Sequence, residues 1–294
     1  MTEPAHIGRF APSPTGPLHM GSLVAAVGSW LCARKHDGRW LLRIEDLDPP
    51  RQQEGAVEQI LEALEEHHLF WDRSISFQSD RHTIYQDVVN RLLQQNQAYF
   101  CQCSRKQLGK IAKAGDMGPV YPGTCREQQL QSGAVRLRVT DELVCFDDPL
   151  ACPICPNPAH ELPDFVTQRR DTLFAYQLAV VVDDAWQGIT DVVRGVDLLD
   201  NTPRQIYLQR LLGLPTPRYL HLPLVTNAQG QKLSKQNHAP ALDNRLASQN
   251  MLEALSHLGF QTKPTLEGIP PADLLGWALQ EADWSRTALS AYAS

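Results

Sequence analysis

Two stretches of the sequence hold residue types at spacings that suit phosphate chemistry. The first runs from Arg9 to Ser22, RFAPSPTGPLHMGS, and ends in a glycine-bearing turn that enters a helical pattern. Such a turn aims backbone N–H groups and the positive end of a helix dipole at whatever lies in front of it, which favours an anion. His19 falls at the mouth of the expected helix, able to donate to a phosphate oxygen, with Gly21 and Ser22 in the first turn behind it. The second stretch is Lys232-Leu233-Ser234-Lys235, which follows a turn from Asn227 to Gly230. Two lysines three residues apart on a loop can compensate charge developing on a transferring triphosphate. Taken singly, the first is a proline-rich connection with a surface histidine and the second a solvated basic loop. Their conjunction is what points to a nucleoside triphosphate.

A third group could ligate a metal. Cys101-x-Cys103, Tyr121 and Cys125 lie close in sequence, and Cys152-Pro-Ile-Cys155 follows with His160 nearby. The spacing favours a structural Zn2+ on the first three thiols and leaves the fourth ligand open between Cys152, Cys155 and His160; the plain alternative is a group of buried reduced cysteines. Thiols or metal ligands, and not a disulfide framework, are expected of seven cysteines in an intracellular chain of 294 residues. Between Cys101 and Arg126 the bases Arg105, Lys106, Lys110, Lys113 and Arg126 face the single acid Asp116, a local surface suited to an RNA backbone.

These residues need elements to position them. AHIGRF (5–10) reads as a buried parallel strand and WLLRI (40–44) as the next. The helix between them carries Val24, Val27 and Leu31 on one face and has Gly38 as its stop, which makes a βαβ unit with the special turn at the carboxyl end of its first strand. Two amphipathic helices follow, one lined by Val57, Ile60, Leu61 and Leu64, the other by Ile84, Val88, Leu92 and Leu93. His67 and His68 end a polar helix, which leaves His19 as the candidate among the three. From Tyr99 to about Pro163 the texture turns cysteine- and proline-rich, reading as an inserted subdomain in which AVRLRVT (134–140) is a half-buried strand. Leu178 to Val182 reads as a return to parallel sheet, and Thr202-Pro203-Arg204-Gln205 as a capping box opening a helix.

With 27 Lys+Arg against 33 Asp+Glu the formal charge is −6, which excludes a basic, nonspecific nucleic-acid coat and argues against DNA as a partner. At 43% hydrophobic and 20% charged the chain is globular in type. The N-terminus lacks a secretory pattern and no stretch is long and apolar enough to span a bilayer, so a soluble, cytoplasmic protein with no membrane partner is expected.

RFAPSPTGPLHMGS and KLSK together resemble the two signatures of class I aminoacyl-tRNA synthetases in the form used by the glutamyl-tRNA synthetases. LRIEDLD (42–48), YQLAVVVDD (176–184), GITDVVRGVDLL (188–199) and NTPRQ (201–205) agree with the same family in the same order. Ser22 and Gln236 depart from the signatures at positions where the glutamyl branch is itself loose. The residues after Lys235 are too few for the helical anticodon-binding region of those enzymes. That points to the family's shortened, glutamyl-Q branch.

The resemblance implies an α/β fold: a Rossmann-like nucleotide-binding parallel sheet with an inserted zinc-bearing subdomain and a short helical C-terminal region. The expected boundaries are 1–98 and 164–226 for the two halves of the catalytic domain, 99–163 for the insertion, and 227–294 for the KLSK loop and helical region. It implies a ligase that activates L-glutamate with ATP and Mg2+ in the absence of tRNA, then esterifies queuosine in the anticodon loop of tRNA(Asp). Competing expectations are charging of a tRNA 3′ end and a noncatalytic tRNA-binding paralogue. By the resemblance, Arg9 and Arg194 face the glutamate carboxylates, Glu45 faces its ammonium, and Ala11, Ser13 and Tyr176 surround it. His19, Gly21, Ser22 and Lys235 contact ATP, with His19, Lys232 and Lys235 acting in catalysis. Asp48 orients the site or caps the next helix, and a plain Arg9–Glu45 ion pair is the alternative to ligand binding. The same resemblance draws Tyr121 into the metal set with Cys101, Cys103 and Cys125.

Overall fold

The computed structural model describes residues 6–112, 120–140, 142–149, 151–155, 162–225 and 240–293. Along the chain the elements are β1 (Ile7–Phe10), α1 (Met20–Lys35), β2 (Arg39–Ile44), α2 (Ala56–Glu66), β3 (Ser76–Phe77), α3 (His82–Gln94), β4 (Ala98–Cys101), α4 (Arg105–Ile111), β5 (Ala134–Leu137), β6 (Phe146–Asp148), β7 (Ala151–Ile154), β8 (Val166–Gln168), α5 (Tyr176–Gln187), β9 (Asp191–Gly195), α6 (Thr202–Leu212), β10 (Arg218–Leu222), α7 (Ala247–His257) and α8 (Pro271–Gln280). They fall into two compact units: Met1–Gln78 with Ile189–Leu199 and Pro217–Ser294, and Ser79–Gly188 with Asp200–Thr216. Among the described residues no helix is long and apolar enough to cross a membrane.

The first unit is built on parallel strands. β1 pairs with β2 (Ile7 opposite Arg39), β2 with β3 (Arg43 opposite Ser76), and β9 with β10 (Asp191 opposite Arg218), all parallel. β9 runs beside β1: Thr190 donates its N–H to the Ile7 carbonyl at 3.0 Å and its hydroxyl accepts the Ile7 N–H at 2.8 Å. The spatial order is therefore β3-β2-β1-β9-β10, and the direction of winding reverses between β1 and β9. A reversal of this kind opens a crevice beyond the carboxyl ends of the two strands. α1 is buried on nearly every side, Leu23, Val27 and Leu31 fully so, and α7 and α8 add Met251, Leu255, Leu274 and Leu275 to the same core.

Gly38 serves a different purpose from the one its position predicts. α1 ends at Lys35, and Asp37, at φ +51°, is the left-handed residue after it. A Cβ on Gly38 would stand 2.3 Å from the His6 carbonyl oxygen, so the glycine permits the close approach of the chain entering β1. His67, read as ending a polar helix, is fully buried; its Nδ1 lies 2.6 Å from the Ala63 carbonyl and its Nε2 3.2 Å from Asn250 Nδ2.

The second unit holds an antiparallel sheet in the order β4-β5-β8, a β6–β7 hairpin and the helices α3, α4, α5 and α6. Leu178 to Val182, read as a strand, is the middle of α5. Every residue from Leu178 to Asp184 is buried, so the 3.6-residue alternation that would mark a helix is erased. Asp183 is tolerated there because it accepts from Arg81 Nε and the Tyr85 hydroxyl, each at 2.7 Å. The apolar face of α3 is Tyr85, Val89 and Leu92, whereas Ile84 is exposed. The expected capping box is also absent: Asn201 is the N-cap of α6, Thr202 is buried inside the helix, and Gln205 donates instead to Gln177 at 3.0 Å.

Candidate active site and sulfur cluster

The loop from Ala11 to His19 is fixed at both sides of the β1 end. Glu45 donates its N–H to the Pro12 carbonyl at 2.9 Å, Gln53 donates to Pro14 at 3.0 Å, and Leu242 donates to Leu18 at 2.9 Å. Gly16, at φ +125° and packed against the Gln53 side chain, is the point where only glycine turns the chain without strain. The loop delivers His19 to the N-cap of α1, where Nδ1 accepts the Ser22 N–H at 3.3 Å. An accepting Nδ1 leaves the ring proton of the neutral imidazole on Nε2. Gly21 and Ser22 sit half-buried in the first turn, which has no acidic side chain to neutralise the dipole.

Three charged residues lie toward the carboxyl ends of the parallel strands: Arg9 and Glu45, expected at strand ends, and Arg194, for which no strand was expected. Arg9 is the third residue of β1, only 4% exposed, and Arg194 the fourth of β9, only 5% exposed, so the two flank the reversal point of the sheet. Phe10 packs into the core against Trp40, and strand alternation turns Arg9 to the opposite face. Arg194 donates Nε–H to His221 Nε2 at 3.2 Å. Glu45 immediately follows β2, and its Oε1 lies 3.4 Å from Arg43 Nη2, a fully buried arginine of the same strand. Sequence reasoning overlooked Arg43 and His221; the signal for the first was a charge inside the apolar run WLLRI. Ala11 is half-buried and Ser13 exposed in the loop. Asp48 accepts from Arg51 Nε at 2.5 Å and makes no side-chain cap bond to the turn after it.

Tyr176 is the half-buried first residue of α5 and belongs to the second unit. Lys232 and Lys235, with the rest of KLSK, lie outside the described residues, as do Lys113, Asp116 and His160.

In the second unit the cysteines converge. The Sγ atoms of Cys101, Cys103 and Cys125 all lie within 4.8 Å of one another. The Tyr121 hydroxyl is 3.5 Å from Cys101 Sγ and 3.8 Å from Cys103 Sγ, and it accepts the Cys125 N–H at 2.8 Å. Three soft thiols and a phenol oxygen thus face one small volume, with a ligand number and chemistry suited to a tetrahedral dication. Burial works to raise the Cys101 thiol, but its hydrogen bonds with Tyr121 and Arg136 outweigh it and bring the group down to about 7. Burial and the contact with Cys125 push the Cys103 thiol up to about 11.

The later cysteines divide differently from the expectation. Cys145 and Cys155 form a disulfide, which removes Cys155 as a ligand and corrects the reading of the cysteines as thiols throughout. The hairpin explains the pairing: Phe146 stands opposite Ile154, so the next pair outward is Cys145 and Cys155, with Cα atoms 4.2 Å apart. Cys152 lies within β7.

Residues 7–264 match the family described as tRNA synthetases class I (E and Q), catalytic domain. A glutamyl-Q tRNA(Asp) synthetase of Pseudomonas putida is 50% identical over 99% of this chain and 95% of its own length. One of Vibrio vulnificus is 49% identical over 95% of this chain and 90% of its own. Among solved structures, a glutamate tRNA ligase from Elizabethkingia meningosepticum in complex with its amino acid is similar at TM-score 0.69 and 28% identity. That match takes in 80% of this chain, which spans about half (52%) of the ligase. A glutamate-tRNA synthetase from Elizabethkingia anophelis, at TM-score 0.76 and 24% identity over 92% of this chain and 65% of its own, shares the fold. The chain belongs to the class I tRNA synthetases of the E and Q catalytic-domain family, a family of ligases, and within it to the glutamyl-Q tRNA(Asp) synthetases.

Proposed function

We propose that the chain activates L-glutamate with ATP, without needing tRNA, and transfers the glutamyl group to queuosine in the anticodon loop of tRNA(Asp). The observation that carries the first half is the pair of buried guanidiniums, Arg9 and Arg194, on neighbouring strands at the point where the sheet reverses, with Glu45 at the end of the next strand. Glutamate presents two carboxylates and one ammonium, and each must meet an opposite charge when desolvated. A guanidinium grips a carboxylate with paired hydrogen bonds, each worth about 1.5–3 kcal/mol. Ala11 and Ser13 supply backbone and hydroxyl contacts from the loop beside them.

His19 Nε2, the first-turn amide of Gly21 and the hydroxyl of Ser22, whose own amide is taken by His19 Nδ1, hold the ATP phosphates. Lys232 and Lys235 keep the phosphate-compensating role that their motif implies. The glutamate α-carboxylate oxygen attacks the α-phosphorus and pyrophosphate leaves; a queuosine hydroxyl then attacks the acyl carbon of the mixed anhydride and AMP leaves. No enzyme nucleophile is needed, and catalysis is positioning plus charge stabilisation. Mg2+ accompanies ATP through its phosphates. Cys101, Cys103, Cys125 and Tyr121 would hold Zn2+, which supplies a structural cross-link.

The second half rests on the relatives, which are about half identical along nearly their whole length and carry the glutamyl-Q name. The test is glutamate-dependent exchange of labelled pyrophosphate into ATP with no tRNA present, followed by acylation assays on tRNA(Glu). The reading expects exchange and no charging of tRNA(Glu). Charging of tRNA(Glu) at its 3′ end would replace it with that of a glutamyl-tRNA synthetase, and no exchange would support a noncatalytic paralogue.

A further inference from the structure

We propose that Arg136 belongs to the metal site: its guanidinium donates to the Cys101 sulfur and supplies the positive charge that lets three thiolates and a tyrosine gather on one dication. The inference deepens the zinc reading above and rests on it.

Register places the arginine there. β4 and β5 are antiparallel with Cys101 opposite Ala134 and Tyr99 opposite Arg136, so Tyr99, Cys101 and Arg136 share one face of the sheet. On that face Arg136 Nε lies 3.2 Å from Cys101 Sγ, and its guanidinium carbon stands 4.0 Å over the Tyr121 ring. Arg136 is 8% exposed, and its Nη1 donates to the Asp164 carbonyl at 3.1 Å, which pins the side chain in this direction. One guanidinium thus touches two of the four residues in the set.

Charge explains why it matters. Three thiolates on a dication leave a net negative charge, larger still if Tyr121 binds as phenolate. Cys101 and Cys125 are almost wholly buried, so that charge has little water to stabilise it. A charged N–H donor to a ligating sulfur offsets the excess, and a partner of this kind typically sets metal affinity by about 10- to 100-fold. Arg126, next to Cys125, is directed elsewhere: its Nη1 donates to Asp164 Oδ1 at 2.8 Å and its Nη2 to the Val139 carbonyl at 3.0 Å.

A purely structural arginine would stack on Tyr121 and stabilise the segment with or without metal, so the test compares the two states. Wild type, Arg136→Met and Arg136→Lys are stripped of metal, then titrated with Zn2+ against a chromophoric chelator and with Co2+ while the thiolate-to-cobalt absorption is read. Melting is followed for each protein with and without metal. Arg136→Met should lose about 10- to 100-fold in Zn2+ affinity. It should also show an altered cobalt spectrum, with a larger drop in melting temperature for the metal-loaded protein than for the stripped one. Arg136→Lys, which keeps the charge and loses the Nε–H donor, should fall between Met and wild type. Wild-type affinity and spectra in both variants, or equal melting losses with and without metal, would overturn the proposal. Cys103→Ser separates it from the zinc reading: if that variant binds Zn2+ as tightly as wild type, the metal set itself is wrong and the role of Arg136 falls with it.

Discussion

His19 Nδ1 accepts the Ser22 N–H at 3.3 Å, so the residue that closes the proline-rich loop also caps the helix behind it. That bond fixes the proton on Nε2 and gives the side chain two separable roles. His19→Ala should cost about 1 kcal/mol of stability through the lost cap. It should also lower the glutamate-dependent exchange rate by about 100-fold or more through the lost donor. His19→Asp restores a capping acceptor and places a negative charge before the phosphates. Its melting temperature should recover while its exchange rate does not. Recovery of both would show that His19 is only a cap.

The sulfur cluster predicts a metal content. Purified protein should carry one tightly held zinc, Cys103→Ser should lose it, and Tyr121→Phe should retain it more weakly. Elemental analysis with chelator challenge reads all three. A zinc-free wild-type protein would refute the assignment, and full retention in Tyr121→Phe would remove the phenol from the ligand set.

At the other end of the parallel sheet, His6 is buried with Asp191 and Tyr292, beside the half-buried His36, while the exposed Arg218 pairs with Asp191. Its Nδ1 lies 3.3 Å from Asp191 Oδ2, and its ring stacks on His36 at 5.5 Å between centroids. Burial lowers its pKa from 6.5 to about 4; Asp191 opposes the shift, while His36 and Arg218 add to it. The folded state therefore prefers neutral His6, and the unfolded chain binds the extra proton below 6.5. Stability from this residue is full above pH 6.5 and drains away as pH falls toward 4, by on the order of 3 kcal/mol. Burial lowers His67 in the same direction, so the slope belongs to both. Urea unfolding of wild type and His6→Gln at several pH values from 7.5 to about 4.5 checks this. The variant should show a shallower decline; parallel curves would contradict it.

How far the sequence could be read depended on whether an element kept a polar side. The β1–α1–β2 unit was legible because its turn chemistry is unusual and its strands are short apolar runs. Leu178 to Asp184 misled because burial on every side of α5 removes periodicity. Thr202 looked like a cap by type alone, yet it is buried in the helix and Asn201 takes the capping position. The charged residues at the strand ends were found, but their immediate partners Arg43 and His221 were not, since pairing along and across strands depends on register. The Cys145–Cys155 bond was hidden for the same reason: it follows from the hairpin, and β6 and β7 have too little pattern to announce one.

Glutamate and glutamine are nearly the same shape, so discrimination must act at the side-chain terminus. Glutamine presents an amide NH2 that cannot accept from a guanidinium, and a buried site left with unpaired donors rejects an isostere by a large factor. Pyrophosphate exchange should therefore run with glutamate and not with glutamine or aspartate, and Arg9→Gln should abolish most of it. Equal rates for glutamate and glutamine in the wild type would show that Arg9 does not read the side chain.

The acceptor is the centre of the account, and one measurement addresses it directly. Labelled glutamate, ATP and the enzyme are offered to tRNA(Asp) carrying queuosine and to the same tRNA with guanosine in its place. Label is expected on the first alone, released by nuclease as a modified anticodon nucleoside and not as aminoacylated terminal adenosine. Equal labelling of both tRNAs, or label confined to the terminal adenosine, would contradict it.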